Sequence, residues 1–168
     1  MATPLILIGL GANLPSRAFG APKATLTAAL ERLDTAGLRV TARSRWYESE
    51  PVPKSTQPNF INAVVRVEAK LAPAALLAVL HRTEESFGRV RGVPNAARSI
   101  DLDLIAYGDT VTHGDGGPLL PHPRMHERAF VLLPLREIAP RWYHPFLGRT
   151  VDELIALLPR DQVARPVA

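Results

Sequence analysis

The chain has 168 residues, 46% hydrophobic and 21% charged, and its 20 Lys and Arg against 16 Asp and Glu give a formal net charge of +4. That length suits one domain of ~100–200 residues, and a mean hydropathy of +0.02 excludes wholesale disorder. No run approaches the ~18 apolar residues of a membrane span, residues 1–20 lack the pattern of a secretory signal, and the lack of Cys excludes a disulfide framework or thiolate metal site, as expected of a cytoplasmic protein.

Leu5 to Ile8 reads as a buried strand feeding a tight loop at Gly9-Leu10-Gly11-Ala12-Asn13. Leu26, Ala29, Leu30 and Leu33 recur at helical spacing, with Gly37 as the stop. From Leu38 to Tyr47 apolar and polar residues alternate, as in one strand with a face in the core. Glu48 to Gln57, with Pro51 and Pro53, reads as a loop. A second alternating strand follows, with Ile61, Ala63, Val65 and Val67 on one face and Phe60, Asn62 and Val64 on the other.

Pro73 suits the first turn of a helix through Leu76, Leu77, Leu80 and Glu84 to about Phe87, ended by Gly88. Arg89 to Arg98 is a basic loop, Ile100 to Tyr107 a strand, and Gly108 to Pro121 a further loop. A helical stretch from near Met125 is expected to break at Pro134, a short helix to span Val151 to Leu158, and the last few residues to fray. The order strand, helix, strand, strand, helix, strand predicts an α+β fold, a ferredoxin-like sandwich whose antiparallel-containing sheet is covered by helices. A single domain over residues 1–168 is expected, its core about 5–140 and a C-terminal extension 141–168.

The basic excess is mostly arginine, since only Lys23, Lys54 and Lys70 are lysines. Arginine grips phosphate through a bidentate fork, so a phosphate-rich partner is one reading and Arg-favouring codon bias the other. In Arg98-Ser99-Ile100-Asp101-Leu102-Asp103-Leu104 a strand puts both carboxylates on one face, roughly 6–7 Å apart. Such a pair is costly unless solvated, paired or bound to a cation, and hard oxygen donors suit Mg²⁺ that also bridges phosphates. Arg89, Arg91, Arg98, Arg124 and Arg128 flank it, which is the composition of a polyphosphate clamp or else of a solvated basic surface. Phe60 beside Asn62 suits stacking and edge bonding of a flat heterocycle. Gly9-Leu10-Gly11 lacks the third glycine of a dinucleotide fingerprint, and no P-loop is present.

Taken together, Ile8-Gly9-Leu10-Gly11-Ala12-Asn13-Leu14, Tyr47-Glu48-Ser49-Glu50-Pro51, Gln57-Pro58-Asn59-Phe60-Ile61-Asn62, Arg98 to Ile105 and Pro121-His122-Pro123-Arg124 through Leu135 carry a resemblance to one family. It is 6-hydroxymethyl-7,8-dihydropterin pyrophosphokinase of folate biosynthesis, and the resemblance runs from about Leu5 to Pro140. It implies transfer of a pyrophosphoryl group from ATP to the pterin hydroxymethyl oxygen, with AMP as the other product. It further implies that Asp101 and Asp103 hold two Mg²⁺ ions and that Arg89 and Arg98, at either end of a mobile loop, neutralise charge. The nucleotide would meet His81, Glu84, Arg91, Arg98, Ile105, His122 and Arg128. The pterin would lie between Phe60 and Phe130, with Asn62 on its edge and Ser49, Glu50, Val52 and Asp101 around it. The resemblance also implies a monomer that binds neither nucleic acid nor membrane. Two departures from the family pattern stand out: Pro94-Asn95-Ala96-Ala97 lacks the usual Gly-Pro and aromatic before Arg98, and serine stands at 49 where threonine is common.

Two other classes fit parts of the sequence. A sheet-based RNA binder would use the basic charge, but Asp101 and Asp103 would repel a nucleic-acid backbone. A metal hydrolase built on His122 and His126 lacks a third well-spaced ligand.

Overall fold

The computed structural model describes residues 3–89, 98–114 and 116–167. Strands β1 (Ile6–Ala12), β2 (Arg39–Arg43), β3 (Tyr47–Ser49), β4 (Phe60–Glu68), β5 (Asp101–Tyr107) and β8 (Ala164–Pro166) form one sheet. Its order is β5-β1-β4-β3-β8, and β2 pairs with the other half of β4. Every pairing is antiparallel. With helices α1 (Pro22–Thr35) and α2 (Pro73–Ser86) on one face, this is the expected ferredoxin-like α+β arrangement. Helices α3 (Ala129–Ile138) and α4 (Val151–Ala156) cover the other face, and a small ribbon of β6 (Tyr143–His144) and β7 (Arg149–Thr150) precedes α4.

Alternation in the central strands makes both layers. Ile6, Ile8, Leu10 and Ala12 of β1 and Ala63, Val65 and Val67 of β4 pack against Leu26, Ala29 and Leu33 of α1 and Leu76 and Leu80 of α2. Leu7 and Val64 point the other way, onto Val131, Leu132, Leu135, Val151 and Leu154. Both long helices open on proline, whose fixed φ suits a first turn where no intrahelical N–H bond is lost. They are followed by Gly37 and Gly88 at φ +92° and +88°, a left-handed exit that glycine takes without a Cβ clash. Among the described residues no helix is long and apolar enough to cross a membrane.

The structure differs from the sequence expectation in four places. The strand expected from Leu38 to Tyr47 is two strands, β2 and β3. Between them the Ser44 hydroxyl accepts the Val64 N–H (3.0 Å), and the register has already slipped between Val40 and Ala42. The first strand does not stop at Ile8 but runs to Ala12, so Gly9 and Gly11 lie within it. The break expected at Pro134 is absent. A 3-10 turn at Met125–Glu127 precedes α3, which runs through the proline. The missing N–H and ring clash cost about 3 kcal/mol, which burial of Val131, Leu132 and Leu135 offsets. The tail, expected to fray, instead places Ala164–Pro166 along the edge of β3, and Val167 N–H donates to the Trp46 carbonyl at 2.9 Å.

Tyr47 OH and the Arg45 N–H and guanidinium all donate to Glu137, locking α3 onto β3. The Tyr47 hydroxyl is pushed up to about 12, chiefly by burial and then by the Glu137 carboxylate that accepts its hydrogen bond. In the tail, Val151 and Leu154 of α4 pack with Val131, Leu132 and Leu135 of α3, and β8 pairs with β3. Leu154 of α4 is 2% exposed, and Leu154→Ala is expected to cost about 2–4 kcal/mol. Urea unfolding checks this: one transition with a lowered midpoint is expected, whereas an unchanged midpoint would show that the tail is not part of the cooperative unit.

Candidate active site

Strand β5 supplies the acidic pair. Asp101 and Asp103 lie on the α3 side, while Leu102 and Leu104 pack into the α1/α2 core on the opposite face. Directly across the ladder in β1 stand Gly11, opposite Asp101, and Gly9, opposite Asp103. On its other side Gly11 pairs with Asn62 of β4. A Cβ at Gly11 would come within 2.8 Å of Asn62 Nδ2, and one at Gly9 within 3.2 Å of Ile105 Cδ1. The two glycines therefore form a bare strip of backbone between the carboxylates and the Asn62 amide. That explains a motif which superficially resembled a nucleotide loop, and its signal was glycine at alternate positions of an apolar strand.

Two cavities meet on this floor. The first, about 140 Å³, is lined by Gly9 and Gly11, by Glu50 and Val52 of the loop after β3, and by Phe60, Asn62 and Phe130. The second, about 360 Å³, is lined by His81 and Glu84 of α2, by Arg89 and by His122. Arg98, Asp101 and Asp103 line both and form their common wall.

Most of the expected residues are therefore brought together, with informative differences in position. Ser49 lines neither cavity. It is buried behind Asn62 and donates its hydroxyl to Asn62 Oδ1 at 2.6 Å, fixing the amide. Ile105 and Arg128, expected on the nucleotide side, line the first cavity, where the Arg128 guanidinium stands 5.3 Å from the centre of the Phe130 ring. Arg91 and most of the basic loop lie outside the described residues. Gln57, which the sequence reading used only as part of a motif, lines the first cavity.

The electrostatics centre on Asp101. Arg89 Nη1 reaches its Oδ1 at 2.7 Å, and Arg98 Nη1 reaches its Oδ2 at 3.2 Å. Arg89 also pairs with Glu84, which is 1% exposed and accepts the Leu102 N–H at 2.8 Å. Glu84 thus ties α2, Arg89 and the acidic strand together. Among the described residues no hydrogen bond or ion pair reaches the Asp103 carboxylate. Burial first and Asp101 second push its carboxyl up to about 7, against a partial pull from Arg128. His122 is held down to about 4 by burial and by Arg128 and Arg124. It is therefore neutral at pH 7; its Nδ1 accepts the Arg124 N–H at 3.1 Å, which leaves the proton on Nε2 as a donor.

A carboxyl raised on folding takes up protons between its unfolded and folded pKa, so its cost to stability grows as pH climbs from about 4 to about 7 and is complete above that. Asp103→Asn should raise the melting temperature of the ligand-free protein by roughly 5 °C at pH 8, with the gain shrinking towards pH 4. Equal melting temperatures at pH 8 would contradict a strained carboxylate.

The family model described as 7,8-dihydro-6-hydroxymethylpterin-pyrophosphokinase (HPPK) matches residues 7–140. The chain is 40% identical over 159 residues to a 2-amino-4-hydroxy-6-hydroxymethyldihydropteridine pyrophosphokinase of Methylorubrum extorquens, covering 94% of this chain and 96% of that protein. It is 36% identical over 146 residues to the Pneumocystis carinii folic acid synthesis protein fol1, covering 87% of this chain and 19% of that much longer protein. Among solved structures, a Plasmodium falciparum HPPK-DHPS with pterin and p-hydroxybenzoate superposes with a TM-score of 0.69 at 15% identity, over 92% of this chain and 43% of that one. That likeness extends to the fold. The chain belongs to the 7,8-dihydro-6-hydroxymethylpterin-pyrophosphokinase family.

Proposed function

We propose that the chain transfers the β- and γ-phosphates of ATP, as one pyrophosphoryl group, to the hydroxymethyl oxygen of 6-hydroxymethyl-7,8-dihydropterin, a step of tetrahydrofolate biosynthesis. The bond from that oxygen to the β-phosphorus forms as the bond from the β-phosphorus to the oxygen of AMP breaks, and the hydroxyl proton leaves. The observation that carries this reading is the pair of cavities joined by Arg98, Asp101 and Asp103. A reaction between two bound substrates needs adjoining sites with the charge-handling groups at their junction.

The first cavity suits a flat pterin. Phe60 enters from β4 and Phe130 from α3, and the Asn62 amide, oriented by Ser49, offers donors to a heterocycle edge. The second, larger cavity suits the nucleotide, with neutral His122 donating from Nε2 and Arg89 supplying positive charge beside Asp101. Glu84 acts there through Arg89 rather than by facing the nucleotide, since it already accepts from Arg89 and from the Leu102 N–H.

The donor set fits two Mg²⁺ ions. Asp101 and Asp103 are hard oxygen donors on one face, both half-buried and both lining the two cavities. No group of three or more His, Cys, Asp or Glu among those residues forms a closed metal cage, so the remaining ligands would be phosphate oxygens and water. Bound there, the ions would neutralise phosphate charge and lower the barrier to displacement. Arg98 belongs to the transition state, while Arg128 holds the Phe130 ring and balances Asp103. The cytoplasmic setting and the monomeric state are part of the same proposal.

AMP formation measured with ATP, Mg²⁺ and hydroxymethyldihydropterin tests the reading. Product is expected only when all three are present, and AMP formation independent of the pterin would contradict it. Asp101→Ala and Asp103→Ala should abolish turnover with the fold intact. Arg98→Ala should lower kcat by roughly 10²–10³-fold with little change in ATP binding, whereas an equal loss of ATP affinity would remove its transition-state role.

A further inference from the structure

We infer that Asn13, which lines neither cavity, is the positioning residue that couples the two halves of the site, an inference that rests on the function proposed above. It sits just past the end of β1 and is 3% exposed. Its Oδ1 accepts the Arg98 backbone N–H at 2.8 Å. Its Nδ2 donates to Gln57 Oε1 at 3.0 Å and to the Pro58 carbonyl at 3.1 Å. The backbone completes the staple, because the N–H groups of Asn13 and Leu14 both donate to the Arg98 carbonyl, at 2.9 and 3.0 Å.

What this side chain joins is functionally specific. Gln57 lines the first cavity, and three residues further on Phe60 begins β4. Arg98 lines both cavities and pairs with Asp101. The two segments lie 41 residues apart in sequence (98 − 57), so one buried amide fixes the first-cavity loop against the arginine shared with the second. The task needs an acceptor and two donors on a short stem, which among the side chains only asparagine supplies at this length. Aspartate would keep the acceptor for Arg98 N–H and lose both donors; alanine would lose all three.

The two variants therefore separate the arms. Losing each of these part-buried hydrogen bonds changes an equilibrium by roughly 2–10-fold. Asn13→Asp should raise the KM for hydroxymethyldihydropterin by about tenfold while leaving kcat within about threefold of wild type. Asn13→Ala should raise that KM similarly and also lower kcat by about tenfold, because the Arg98 N–H loses its acceptor and only the backbone bonds to its carbonyl still hold that segment. Hydrogen exchange gives a readout independent of turnover. The Arg98 amide should lose protection in Asn13→Ala and keep it in Asn13→Asp, while residues 57–60 exchange faster in both.

If Asn13→Ala does not fold, Asn13→Leu, which is close to asparagine in shape and has neither donor nor acceptor, supplies the second arm. Variants that share the same kcat and KM, or that lose only active fraction with no change in either constant, would overturn the inference. A wild-type protein that makes no AMP would overturn the proposed reaction instead, and the exchange pattern alone would then decide whether Asn13 couples the two segments.

Discussion

The structure turns on the cost of setting two half-buried carboxylates side by side on one face of a strand. The Asp103 carboxylate has no hydrogen-bonding partner among the described residues, and desolvation beside Asp101 pushes it up towards neutrality. Asp101 stays compensated because Arg89 and Arg98 grip its two oxygens from different segments of chain. Arg89 is held in turn by Glu84, itself tied to the backbone of the acidic strand. The arrangement stores an electrostatic demand for more positive charge at one point, and that point is where the two cavities meet. The carboxylate at 103 fits the proposed site for cation and polyphosphate, which an amide or a leucine would not.

The remaining architecture keeps that point accessible. Glycines at 9 and 11 clear the strip of β1 between the aspartates and Asn62. The split between β2 and β3 lets two short strands serve one long β4, so Ser49 arrives behind Asn62 while Val40 stays with the core. The Tyr47–Glu137 contact anchors α3 against β3, and α3 carries Phe130 in its first turn, facing the cavity that Phe60 also lines. The net charge of +4, which first pointed broadly to phosphate-rich partners, acquires a specific meaning here, because Arg89, Arg98 and Arg128 all gather around the acidic strand.

Much of this was legible in the sequence wherever one residue type had one physical consequence. The period-2 pattern of Ile100 to Leu104 put the aspartates on one face, and proline-opened, glycine-closed segments marked α1 and α2. The failures share a cause: each was decided by a partner distant in the chain. Ser44 ends a strand because its hydroxyl takes the Val64 N–H. Pro134 survives in α3 because three apolar neighbours are buried. The tail becomes β8 because β3 offers an open edge. Likewise Ser49 stands behind Asn62 rather than in a cavity, Glu84 lines the second cavity while pairing with Arg89, and Arg128 and Ile105 line the first cavity. A motif marks which residues matter, but the side of the wall on which each one stands is set by packing.

The most direct measurement is a crystal structure with Mg²⁺, a non-hydrolysable ATP analogue and hydroxymethyldihydropterin bound together. The pterin ring is expected between Phe60 and Phe130 and the nucleotide along His122, with the hydroxymethyl oxygen and the β-phosphorus facing each other across Asp101 and Asp103. Ligands sharing one cavity, or reacting atoms that meet away from the two carboxylates, would contradict the account.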